Sequence, residues 1–252
     1  NAIHSWNSSH LTIEANELTG HRDGIYLEFT TASNIRGNRS TRNLRYGLHF
    51  MFSHHCAYTE NSFVANLGGV AVMYSDSVTM RQNRFENSRG SAAYGLLLKE
   101  LRDSWIENNQ FTSNTVALWT EGTNRVVVSG NRFLKNGWAI RVLGDASDNI
   151  FRRNRFAANS FDVGATEGHS DNLFQENYWD RYRGYDLDRD GFGDVPFQPV
   201  TLFAFLIQQN PPTLILLHSF FISLLDLAER AIPALAPKTL LDRRPLMQWS
   251  SS

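Results

Sequence analysis

Apolar and polar residues alternate through the N-terminal part of the chain: Ile25, Leu27 and Phe29, then Leu48, Phe50 and Phe52, then Val70, Val72 and Tyr74, and later Ile140 and Val142. A period of two sends successive side chains to opposite faces, so the pattern predicts short β-strands with one face buried. The strands belong to a repeat. Asparagine returns at Asn16, Asn38, Asn61, Asn83, Asn109, Asn131, Asn154 and Asn177, at intervals of 22, 23, 22, 26, 22, 23 and 23 residues. Three positions before each stands an apolar residue, and from the third repeat on an aromatic follows two positions later (Phe63, Phe85, Phe111, Phe133, Phe156, Trp179). Self-similarity at this length means a stack of like units.

Short alternating runs with Asn, Gly and Ser corners predict an all-β fold, a parallel β-helix of about eight coils; parallel crossovers are overwhelmingly right-handed, so a right-handed solenoid is expected. A leucine-rich repeat of the same length would show a leucine consensus that is missing here. Eight rungs at roughly 4.8 Å each give a rod of about 40 Å. The asparagines suit corners, where a short amide tolerates left-handed backbone angles, and stacked corners let each amide bond the next. Asn43, Asn66, Asn114, Asn136 and Asn159, each five residues after a ladder asparagine, mark a second corner. Both rows are expected to be structural.

Three regions follow from these patterns: a rod over 1–180, an acidic loop over 181–199 and a proline-broken apolar tail over 200–252. The loop reads Asp186-Leu-Asp188-Arg-Asp190-Gly191-Phe-Gly193-Asp194. Carboxylates at positions 1, 3, 5 and 9 with glycine at position 6 make a hard oxygen cage suited to calcium, or to magnesium. Phe197 stands at position 12, where an EF-hand carries its bidentate glutamate. In the tail, Leu214 to Leu227 suits a helix, too short and interrupted to span a bilayer, that packs back on the rod or meets a partner. Removing the chain from Leu214 onward is expected to cost partner binding and leave the rod folded.

With 42% hydrophobic residues the 252-residue chain can bury a sizeable core, and a formal charge of −1 gives no reason to expect nucleic acid. The sequence opens in mid-pattern, which implies that further rungs precede it, and no signal peptide or transmembrane helix is visible. The lone Cys56 excludes an internal disulfide and lies in register with Val78 and Val126, hence inward; His54 and His55 occupy the preceding turn.

Aligning the rungs also reads off the outer face. His49 and Met51 project from one rung and Ala71 and Met73 from the next, with Glu28 below and Lys99 and Glu121 above. Two thioethers beside an imidazole are a soft ligand set suited to Cu(I). The competing class is a polysaccharide-binding or polysaccharide-active β-helix. Its chemistry needs clustered carboxylates, but Asp76, Asp103, Glu107, Asp145 and Asp148 fall in no common column, while Trp105, Trp119 and Trp138 offer stacking surfaces.

Tyr46-Gly-Leu-His-Phe-Met-Phe-Ser53, its echo Gly69-Val-Ala-Val-Met-Tyr-Ser75, the run Tyr94 to Lys99 and the segment Asn177 to Pro196 together resemble the NosD family. The resemblance implies a periplasmic accessory protein without enzymatic activity. It would work with an ABC-type transporter and a copper-donor protein to supply copper, with sulfur as an alternative cargo, during maturation of nitrous oxide reductase.

Overall fold

The computed structural model describes residues 1–143, 145–165, 171–209 and 240–249. Each coil contributes three strands, as in Asp23–Thr31, Asn34–Arg36 and Arg39–Thr41, followed one rung on by Tyr46–Met51, Ala57–Thr59 and Ser62–Val64. The strands pair only with their counterparts in adjacent coils, always in parallel, in one sheet of 15 strands and another of 8. The larger sheet covers two sides of the coil because Tyr94–Glu107 runs unbroken through both. This is the expected parallel β-helix of about eight turns.

Register follows the apolar alternation. Ile25, Leu48, Val70, Leu96, Leu118, Ile140 and Val163 stand directly above one another, all at 0% exposure. A slip of one residue would turn this whole column to solvent, so burial itself fixes the register. On the opposite wall Phe63, Phe85, Phe111, Phe133, Phe156 and Trp179 stack ring on ring with centroids 4.1 to 5.5 Å apart. Cys56 is buried, as its register required.

The asparagine rows are hydrogen-bonded ladders. Asn61 shows the unit: its backbone N–H and its Nδ2 both donate to Asn83 Oδ1 at 3.0 Å, and Nδ2 also donates to the Ile35 carbonyl at 2.8 Å. The same arrangement runs from Asn38 to Asn177. One expectation fails in an instructive way. The left-handed angles belong to the residue before each asparagine (Ala15, Gly37, Glu60, Gln82, Asn108, Gly130, Arg153, Glu176, φ 50 to 66°). That residue makes the bend, leaving the asparagine's own N–H aimed along the axis at the next rung. The second row is broken at Ser88, which donates its N–H to Asn114 Oδ1 but whose Oγ has no hydrogen-bond partner.

The chain beyond the rod returns to it. Helix Leu202–Gln209 lays Phe203, Ala204 and Ile207 on Val116, Trp138 and Phe161 of the outer face. The helix expected over Leu214 to Leu227 lies outside the described residues. Among the described residues, no helix is long and apolar enough to cross a membrane. Farther on, Asp242 pairs with Phe174 and Phe197, and Leu246 with Tyr178 and Phe192. Asp242 Oδ2 accepts from Asn177 N at 3.0 Å, Asn177 Nδ2 at 3.1 Å and Trp179 Nε1 at 3.0 Å, occupying the place of the next ladder amide. The chain beyond Leu214 therefore includes part of the rod's last rung, and removing it would strip that rung of its acceptor.

Asp242→Ala leaves three donors at the rod's end without their acceptor and is expected to cost about 3 kcal/mol, read as a lower midpoint in urea unfolding, with Asp242→Asn less damaging. A second test concerns Asp162, enclosed in the core with Asn159 Nδ2 donating to it at 3.2 Å. Burial raises its pKa from 3.8 to about 6, against the opposing pull of Arg181 and Asn159. The folded state thus holds this proton more tightly than the unfolded chain, so stability present below about pH 4 is lost as pH rises through 6. Asp162→Asn is expected to match the wild type near pH 4 and to exceed it at pH 7 by on the order of 2 kcal/mol; equal midpoints at pH 7 would contradict this.

Candidate functional site

On the outer face of the longest strands the columns fall where the sequence placed them. Trp6, Glu28, Met51, Met73, Lys99 and Glu121 are successive rung partners, as are His4, Tyr26, His49, Ala71, Leu97, Trp119 and Arg141. Met51 and Met73 are direct neighbours, both partly exposed. The upper charges neutralise one another, Lys99 Nζ lying 2.7 Å from Glu121 Oε1. Beside the histidine column, Tyr46 and Tyr94 meet hydroxyl to hydroxyl at 3.0 Å across the intervening rung. Gly68 makes this possible, since a Cβ there would lie 2.8 Å from the Tyr46 ring.

His49 sits differently from the methionines. It is 6% exposed, packed between Tyr26 and Tyr46 with ring centroids 4.9 Å away in each case. Arg45 clasps Asp23 through Nε (2.8 Å) and Nη2 (2.5 Å), and its Nη2 also lies 3.2 Å from His49 Nδ1. A guanidinium only donates, so Nδ1 accepts and the imidazole proton resides on Nε2, which is buried without a partner. Burial, then the Arg45 charge, pushes the His49 pKa from 6.5 down to about 4, so the ring is neutral at neutral pH. The structure therefore brings Met51 and Met73 together as an accessible thioether pair and shields His49 beneath tyrosines.

A feature that alternation concealed runs alongside. Phe29, Phe52 and Tyr74, read from sequence as core positions, stack at 5.1 Å spacing on the outside, with Phe29 46% and Tyr74 40% exposed. Their left-handed angles (φ 50, 47 and 51°) break the strand's alternation. Small polar residues take the next position inward, where Ser53 Oγ accepts from Thr30 N and Ser75 Oγ from Ser53 N, each at 3.1 Å. The recurrence of Thr30, Ser53 and Ser75 directly after an aromatic was the available signal.

In the acidic loop, Asp186, Asp188 and Asp194 each offer an oxygen within 4.8 Å of the others. Gly191 at position 6 takes a left-handed angle (φ 89°), and its N–H donates to Asp186 Oδ2 at 3.0 Å. Asp190 departs from the expected set, because its Oδ2 accepts from Arg244 Nη2 at 2.9 Å and its Oδ1 from Phe192 N at 2.9 Å. The carboxylates weighed for sugar chemistry are dispersed into local contacts: Asp103 with Arg125, Glu107 with Arg81, Asp76 with His54. Trp119 and Trp138 lie on the outer face near helix Leu202–Gln209, and Trp105 is exposed on the adjoining side.

Comparison with known proteins agrees with this architecture. The chain is 29% identical over 195 residues to a probable ABC transporter binding protein NosD of Pseudomonas aeruginosa, covering 73% of this chain and 41% of that protein. It is 27% identical over 215 residues to a protein of the same description from Stutzerimonas stutzeri, covering 85% and 42%. The chain thus spans less than half the length of these relatives. Among solved structures, the periplasmic alginate epimerase AlgG superposes with a TM-score of 0.55 at 18% identity, over 74% of this chain and 42% of that one, and a mutant of it with 0.62 at 17% identity, over 68% and 45%. Identity that low shows a common fold and nothing of activity. Residues 1–184 match the model of a family described as periplasmic copper-binding protein (NosD), and the chain belongs to that family.

Proposed function

We propose that this chain handles Cu(I) as cargo on the outer face of its β-helix, as part of a periplasmic NosD-type protein that acts with an ABC-type transporter in maturation of nitrous oxide reductase. The observation that carries the reading is the direct rung pairing of Met51 with Met73 on a rigid sheet. Two soft thioethers held one rung apart favour Cu(I) over harder ions, and their neutrality permits a weak, exchangeable hold. His49 would join through Nε2 only after its proton moves to Nδ1, against the Arg45 contact. The methionines are therefore the primary ligands and His49 an auxiliary one. The exposed stack of Phe29, Phe52 and Tyr74, one residue along from this column, supplies a flat apolar surface where a copper-donor protein would dock. The role is transport of an ion and calls for no catalytic group.

The acidic loop we assign to a structural calcium ion, with Asp186, Asp188 and Asp194 as carboxylate ligands. Calcium needs six to eight oxygens, so backbone carbonyls and water would complete the shell, and magnesium would fit less well in an irregular loop. Asp190, bonded to Arg244, instead ties the loop to the segment that closes the rod.

Competition titration of the reduced protein with Cu(I) and a chromogenic chelator tests the first reading. The double variant Met51→Leu/Met73→Leu is expected to weaken binding by about a hundredfold, on the scale where tenfold is 1.4 kcal/mol, and His49→Gln by much less; unchanged affinity in the double variant would refute it. For the loop, saturating calcium is expected to raise the unfolding midpoint of the wild type and to have no effect on Asp188→Asn. A calcium response that survives Asp188→Asn would place the ion elsewhere.

A further inference from the structure

A cavity of about 460 Å³ opens on the outer face between the turn at Ser91–Ala93 and the inner side of helix Leu202–Gln209. Leu97, Val116, Trp138 and Ile207 supply apolar walls, and its size falls within the ordinary range of small-molecule sites. Arg141 and Trp119 also line it. Arg141 Nε and Trp119 Nε1 are covered by protein, and neither has a hydrogen-bond partner among the described residues.

The Arg141 guanidinium stands 4.6 Å from the Trp119 ring centre and 5.5 Å from that of Trp138, with no carboxylate paired to it among the described residues. Ring faces compensate a cation in part and do nothing for its N–H groups. Among the described lining residues the one carboxylate, Glu121, is already neutralised by Lys99 at 2.7 Å. What remains is a partly exposed guanidinium with no ion-pair partner among the described residues, on the wall of a mostly apolar chamber.

We propose that this cavity is a binding site for a small monocarboxylate with an apolar body. The carboxylate would accept from the Arg141 guanidinium, and the apolar part would lie against Leu97, Val116 and Ile207. A charge-assisted bond to guanidinium is the strongest pairing open to these groups. A phosphate dianion is a poorer match: it would bring two negative charges to one cation, with the Glu121 carboxylate on the same wall. An amine would meet Arg141 as a like charge. The site meets the methionine column at Glu121, two rungs beyond Met73, and does not depend on copper.

The test uses the 252-residue chain with 4-phenylbutyrate as the probe, followed by isothermal titration calorimetry and tryptophan fluorescence. Binding in the micromolar to millimolar range is expected, at least about tenfold weaker for 4-phenylbutyramide and undetectable for 4-phenylbutylamine. Arg141→Gln is expected to abolish the preference of acid over amide. Arg141→Lys, which keeps the cation, is expected to retain the acid preference in weakened form, and an unfolding midpoint preserved in Arg141→Gln keeps its loss of preference from being mistaken for unfolding. Equal affinity for acid and amide in the wild type, an acid preference that survives Arg141→Gln, or no binding at millimolar probe would overturn the assignment.

Discussion

Everything in this molecule hangs on the handing of hydrogen bonds from one asparagine to the next. A β-helix must turn its chain several times per coil without leaving buried backbone groups unpaired. Here the Asn38-to-Asn177 ladder meets that demand with a single residue type: the side-chain oxygen receives two donors from the coil before, and the amide nitrogen gives to the coil after and to a carbonyl of the preceding one. Because the corner is satisfied internally, the strands between corners are free to vary on their outer side. Columns as unlike as methionine with lysine and tyrosine with tryptophan therefore share the same frame.

That freedom accounts for the contrasts along the outer face. Near the middle of the rod, Met51 and Met73 offer soft donors beside a stack of aromatic rings. Toward the C-terminal end the same face turns apolar and receives helix Leu202–Gln209. On the same rungs Tyr46 and Tyr94 close over Gly68, and Tyr26 and Tyr46 pack against His49. Two chemically different surfaces thus sit within a few rungs of each other on one sheet, each fixed by strand register and neither dependent on a long loop.

The periodic part of this arrangement was legible in sequence, because a repeat writes its geometry as spacing. Ladder asparagines, the phenylalanine stack and the pairing of Met51 with Met73 all follow from counting. What escaped is what breaks the count. Phe29, Phe52 and Tyr74 have core parity, yet a left-handed residue turns them outward. His49 has outward parity, yet neighbours from other columns bury it, and no one-dimensional pattern reports a cover built from two sides. Asp190 fits the spacing of an oxygen cage, but Arg244, 54 positions away, claims it. Asp242 lies 65 positions beyond the asparagine it serves, outside any repeat.

The direction of the ladder gives Asp242 a further significance. Each amide accepts from the coil before and donates to the coil after, so the terminal coil presents bare donors, the electropositive end of a long line of aligned dipoles. A carboxylate answers that polarity with a full charge. It also cannot pass the pattern on: one Asp242 oxygen takes the three donors below, the other takes the Arg244 N–H at 3.1 Å, and no hydrogen is left to offer a next coil. An asparagine in its place would present a donor to any strand arriving at the rod's end, which is how stacked β-structures grow from one molecule into the next. The final acid thus closes the ladder's line of donors, written in the same chemical alphabet as the rungs it meets.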